Sequence, residues 1–180
     1  MNRKIRWITE TALLIALLVT LQVLTKGFGQ LVTGSCVNAV LAVAVLVAGS
    51  VSGVTVALIS PVLAWLLGIA PMAVTVPAIM AGNTVYVLLL HLMAGKAQKL
   101  LQKVLAWLVA AAAKFAVLWL IVTQLICGLL SESLLASGSL KAPMLKALPV
   151  TFSWPQLITA LIGGAVALLI APTLRKTLRK

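Results

Sequence analysis

Lys114 stands in the run Ala110-Ala111-Ala112-Ala113-Lys114-Phe115, about ten residues inside a long apolar segment. At 1.5 Å per helical residue that is a depth of roughly 15 Å. An ammonium so deep is costly against lipid, so it must face a bundle interior or a wet cavity. Two uses are open to it: a contact to an anionic or carbonyl group of a ligand, or satisfaction by backbone carbonyls and polar neighbours such as Asn83. Asn83 itself lies at similar depth in Ala81-Gly82-Asn83-Thr84-Val85-Tyr86. Residues three apart share a helix face, so Asn83 and Tyr86 point the same way. Gly82 beside them lets a neighbour approach the backbone. An amide and a phenol on one face can orient a ligand or bond between helices and hold a bundle together.

Further polar residues fall toward the other ends of the apolar segments: Gln22, Lys26, Gln30, Asn38, Gln124 and Glu132. Asn38 near the start of its segment and Gln124 near the end of its own are candidates to line a pocket. Lys26 and Glu132 read as solvated loop residues. Trp65, Trp119 and Trp154 suit stacking on a planar ligand or anchoring at the bilayer boundary. Of these, Trp119 joins Lys114, Asn83, Tyr86, Asn38 and Gln124 as a candidate substrate contact.

Several chemistries are absent. The two acids, Glu10 and Glu132, sit far apart in the chain and on opposite sides of the topology derived below, so they form no carboxylate pair. No His–Glu metal motif, nucleophile–base pair or phosphate-binding glycine loop ending in Lys-Ser/Thr occurs. The sequence therefore predicts no enzyme, no cofactor and no metal site. Cys36 and Cys127 have no metal-like spacing and read as small packing residues rather than a disulfide.

The elements that position these residues are membrane helices. The chain is 63% hydrophobic and 9% charged, with a mean hydropathy of +1.21, which excludes an ordinary soluble domain. Six apolar segments can be read, at 5–24, 31–48, 51–70, 72–94, 104–129 and 157–174. Most approach the roughly 20 residues that cross the hydrocarbon core. Gly49 and Gly53 separate the second and third; a turn there is preferred, since one helix over 31–70 would be twice too long. Pro71 marks a reversal, Gly95 ends the fourth segment, and Pro61 and Pro77 predict kinks. The stretch 130–154, with Gly138, Pro143 and Pro149, reads as the one long loop.

The net charge of +12 raises the question of nucleic acid, but the basic residues cluster at segment ends, where they anchor helices in a lipid bilayer. Arg3, Lys4, Arg6, Lys96, Lys99, Lys103, Arg175, Lys176, Arg179 and Lys180 fall on one side. Lys26, Lys141 and Lys146 fall on the other. The positive-inside rule then gives an all-α integral membrane protein in which 1–180 form a single domain of six transmembrane helices with both termini cytoplasmic. The external side carries the longer loops, which suits capture of an external ligand. With no ATPase motif and no buried carboxylate, an uptake protein of this build draws its energy from a partner.

The first helix carries Ala12, Ala16 and Thr20 at four-residue spacing, a row of small side chains against which another helix can pack closely. This row, in Ala12-Leu13-Leu14-Ile15-Ala16, resembles the Ala-xxx-Ala motif of the substrate-binding S components of energy-coupling factor (ECF) transporters. The stretch 45–53 with Gly49 and Gly53, Trp154-Pro155-Gln156-Leu157, and Ile162-Gly163-Gly164-Ala165 are similar to that family too. The resemblance covers the whole chain in architecture. It implies a prokaryotic plasma-membrane subunit that binds a vitamin or related micronutrient from outside. It also implies docking through Ala12, Ala16 and Thr20 on a membrane coupling subunit driven by two cytoplasmic ATPases, after which the subunit topples to release its ligand inward. The signature residues of the thiamin, riboflavin and biotin members are not recognised, nor are the N-terminal histidines of the nickel and cobalt members. The rival readings are a self-sufficient small carrier or channel, and a membrane scaffold without a ligand.

Overall fold

A computed structural model describes residues 2–70, 72–95, 97 and 99–178. Pro71, Lys96, Arg179 and Lys180, to which the sequence assigns a reversal and basic anchors, lie outside the described residues, as does the side chain of Arg3.

Every element among the described residues is helical. Helix α1 spans Arg3–Thr25 and begins where the Asn2 side chain accepts the backbone N–H of Lys4 at 3.1 Å. A short 3₁₀ turn, Lys26–Phe28, leads to α2, Gln30–Val43, which unwinds into a π turn over Ala44–Ala48. Gly49, at φ 96°, makes the reversal into α3, Ser50–Leu66, in a conformation that an L side chain resists. The turn expected between the second and third segments is therefore present. Gly53 packs closely as well: a Cβ there would fall 2.8 Å from Val87 and 2.9 Å from Val45.

Helix α4, Val76–Leu89, follows the 3₁₀ turn Ala73–Thr75 and runs into a π turn over Leu90–Ala94. Pro77 sits in its first turn, where a missing N–H costs no intrahelical bond, so it starts the helix instead of kinking it. Pro61, by contrast, lies inside α3. Helix α5, Leu100–Leu118, continues as π-helix over Trp119–Leu129. The stretch expected as a loop folds into two short helices, α6 at Ser131–Ala136 and α7 at Met144–Thr151, before the long α8, Trp154–Leu178.

Among the described residues, five helical stretches are long and apolar enough to cross a membrane: Lys4–Phe28, Gln30–Ala48, Ala73–Ala94, Leu100–Leu129 and Met144–Thr177. The segment expected at 51–70 differs. Its helix stops at Leu66, where Leu67 and Gly68 turn the chain, leaving a shorter apolar helix. By length and composition the fold is a multi-pass helical membrane bundle of five spans plus this shorter helix.

Among the described residues, two apolar clusters hold it together. The larger joins α1 to α5 and α8 around Leu18, Leu41, Val56, Tyr86 and Leu90. The smaller, around Leu118, Val122, Leu140, Leu148 and Phe152, fastens the α6–α7 segment to α5. The most extensive helix pairing is α2 with α8. Small residues permit it: a Cβ on Gly163 would lie 2.6 Å from Asn38 Cβ, the Ala39 amide and the Ser35 carbonyl, and one on Gly34 would lie 2.8 Å from Thr159. That approach sets the depth and facing of Asn38.

Candidate functional site

Three helices bring their polar residues to one point. Lys114, on α5, is 2% exposed, and its ammonium donates to Asn38 Oδ1 on α2 at 2.5 Å and to Asn83 Oδ1 on α4 at 2.7 Å. The same nitrogen lies 5.5 Å from the centroid of the Tyr86 ring, a cation–π distance. Tyr86 is fully buried, and its hydroxyl donates to the Ala160 carbonyl on α8 at 3.2 Å. The Trp107 indole N–H reaches the same carbonyl at 3.4 Å.

Hydrogen bonding fixes the orientation of Asn38. Its Nδ2 donates to the Gly34 carbonyl at 2.9 Å and to Thr159 Oγ1 at 3.2 Å, while the Thr159 hydroxyl donates to the Gln156 carbonyl at 3.1 Å. Exchanging the amide's oxygen and nitrogen would set two donors against each other at Lys114 and set the carbonyl oxygen of Asn38 against that of Gly34. The chain of donors thus leaves Asn38 Oδ1 turned toward the ammonium. Neutral dipoles hold the charge, and no carboxylate reaches it among the described residues: Glu10 pairs with Arg6 at 2.7 Å, and Glu132 is exposed on α6.

A cavity of about 110 Å³ opens beside this cluster. Lys114, Asn38, Asn83, Gln22, Ser60 and Gln156 contribute its polar lining, and Phe152 and Ile79 part of its apolar lining. Asn83 Nδ2, Ser60 Oγ and Gln22 Oε1 are buried there without a protein partner. Such atoms carry a free-energy cost unless something bonds them. They present a donor, a hydroxyl and an acceptor to whatever occupies the space.

The candidates from the sequence divide clearly. Lys114, Asn38, Asn83 and Tyr86 meet in one cluster, and Gln22 and Gln30 line the adjoining cavity. Gln124 is exposed and Trp119 is 38% exposed; neither lines the cavity. The buried stripe on this stretch runs Leu118, Val122, Ile126, and both residues sit off it. Trp65 and Trp154 are likewise exposed, at 43% and 57%, as boundary anchors would be. Cys36 and Cys127 are both free thiols. Ala12, Ala16 and Thr20 lie together on the exposed face of α1. Sequence reasoning missed Thr159, Gln156, Ser60 and Trp107. A usable signal existed for the first two, since Gln156 and Thr159 are three apart on α8 and Gly163 follows one turn later.

A multi-pass helical bundle folded around an inward-facing polar cluster and cavity is the build of a membrane component that handles a small molecule. The chain belongs to the family of ECF transporter substrate-specific components, whose family model matches residues 6–175. No curated protein and no solved structure matches it.

Proposed function

We propose that this substrate-specific component captures a small organic molecule bearing a carboxylate or another anionic group, a vitamin or related micronutrient, in the cavity beside Lys114. The observation that carries the reading is the Lys114 ammonium, 2% exposed and, among the described residues, held by neutral groups. A buried cation with no counter-charge is costly, and an anionic ligand group supplies the missing partner. Asn83 Nδ2 then finds an acceptor on the same group, and Gln22 Oε1 and Ser60 favour a ligand that also carries an N–H or O–H.

The cavity is smaller than the roughly 300–1,000 Å³ of sites for drug-sized ligands. Thr151, Phe152 and Gln156 form one wall of it, so displacement of the α7–α8 junction enlarges it and gives a route of entry. Helix α3 completes a set of six crossings in this reading. The basic residues that gather where α1 begins and α8 ends face the cytoplasm, and the cavity end faces outward.

Ala12, Ala16 and Thr20, exposed on α1, form the docking face for a coupling subunit driven by two ATPases. Reconstitution tests the division of labour. Vesicles holding this chain with the coupling subunit and ATPases should take up ligand on ATP addition, and vesicles holding the chain alone should not. Uptake by the chain alone would overturn this reading in favour of a self-sufficient carrier.

A further inference from the structure

The end of the bundle opposite the Lys114 cavity has a second hollow of about 360 Å³. It is built from four places in the chain: Arg6 on α1, Gly49 at the α2–α3 reversal, His91 in the π turn that follows α4, and Arg175 near the end of α8, together with Val45, Leu46 and Val47. The Arg175 Nε donates to the Leu46 carbonyl, which fixes the guanidinium at the rim. Arg6 is shared with Glu10, whose carboxylate lies one turn farther along α1 and lines the adjoining hollow. A narrower groove continues from Leu46 and Arg175 along α5 and α8. Leu168, Ala171, Pro172 and Ala94 line it, with Lys103 beside them.

We infer that this hollow binds the phosphate of an anionic phospholipid, with an acyl chain following the groove toward α5 and α8. The site combines cationic donors with an apolar track, and both lie where a bundle end meets the bilayer surface. Trp7, 37% exposed and next to Arg6, fits that boundary position. Guanidinium groups bind phosphate oxygens through paired charge-assisted bonds, and basic pockets between membrane helices suit anionic headgroups. A free phosphate would use the cations and leave the apolar groove unused. A choline headgroup would place its own cation among Arg6, Arg175 and Lys103. The lipid therefore bridges four elements that the fold already gathers, and it does so far from the substrate cavity.

The test is native mass spectrometry of the full-length protein in mild detergent, titrated with phosphatidylglycerol or phosphatidylcholine. The expected result is preferential phosphatidylglycerol adducts. Arg175→Gln, which removes a charged donor, should weaken them by about tenfold. His91→Gln, a second variant should the first fold poorly, should weaken them to a smaller extent. Lys141→Gln, in the segment between α6 and α7, should leave them unchanged. Equal adducts for both lipids, unchanged adducts in Arg175→Gln and His91→Gln, or an equal loss in Lys141→Gln would overturn the assignment. Displacement of phosphatidylglycerol by millimolar inorganic phosphate would overturn the lipid as occupant in favour of a free anion.

Discussion

Gly163→Ala adds one methyl group at the closest approach of α2 and α8. The new Cβ would stand 2.6 Å from the Ala39 amide nitrogen, the Ser35 carbonyl oxygen and Asn38 Cβ. Carbon contacts are comfortable at about 3.5–4.0 Å, so the helices must part by roughly 1 Å. Two of the three opposing atoms are backbone and cannot rotate away. Overpacking of this kind costs typically about 1–3 kcal/mol, and a backbone obstacle puts it at the upper end. The gain in helix propensity from Gly to Ala returns about 1 kcal/mol. The net loss is about 2 kcal/mol, a factor of about 30 in the folding equilibrium. For a chain of this length that lowers the melting temperature by about 4–8 °C. Gly27→Ala is the matched control, because nothing lies within 4 Å of a Cβ there. Thermal unfolding of both variants in the same detergent is the assay. A Gly163→Ala protein as stable as the wild type would refute the close α2–α8 packing, and with it the account of how Asn38 is placed.

Other predictions concern the site and the docking face. Thr159→Val keeps the shape of the side chain but removes one of the two acceptors of Asn38 Nδ2. It should cost about 1 kcal/mol of stability, read as a lower melting temperature; no change would show that the Gly34 carbonyl alone holds the amide. Ala16→Trp places a large ring on the exposed face of α1. It should abolish co-purification with a coupling subunit while leaving the monomer's melting temperature unchanged. Retained co-purification would exclude this face as the docking surface.

How much could be read in advance depended on what each residue answers to. Hydropathy located the helices because burial in lipid acts on every residue of a span at once. The depth of Lys114 and Asn83 followed from counting along straight helices, and three-residue spacing put Tyr86 on the face of Asn83, which meets Lys114. Place along the segment and residue type are poor guides beyond Leu118, because neither says which way a side chain faces. There the helix changes to i→i+5 winding over Trp119–Leu129, so positions phased on an ordinary α-helix drift round the axis. Gln124, a candidate for its place near the end of its segment, and Trp119, a candidate for its stacking ring, both lie outside the cavity.

Pro77 looked like a kink because hydropathy ran on upstream of it, while the helix proper begins only at Val76. The helices α6 and α7 were hidden by Gly138, Pro143 and Pro149: the first two do break the chain, but only between α6 and α7, and Pro149 is held inside α7, where Leu140, Leu148 and Phe152 pack the segment on α5. Ser60 and Thr159 could not be told from ordinary membrane-helix hydroxyls, since only the tertiary approach of α3 and α8 makes them neighbours of Asn38 and Asn83. Glycine pairs such as Gly163 and Gly164 signal that approach without saying which helix arrives.

The most direct test of the central claim compares wild type with Lys114→Met by native mass spectrometry, after mild purification from cells grown in rich medium. Methionine retains much of the side-chain volume and removes the charge. The two amide oxygens lose a donor, but the cost of a desolvated ammonium disappears, so stability should change little. Loss of a charge-assisted contact of about 1.5–3 kcal/mol should lower affinity by about tenfold to 150-fold. The account predicts a small anionic molecule retained by the wild type and absent from a well-folded Lys114→Met protein. The same molecule at the same occupancy in both would contradict it.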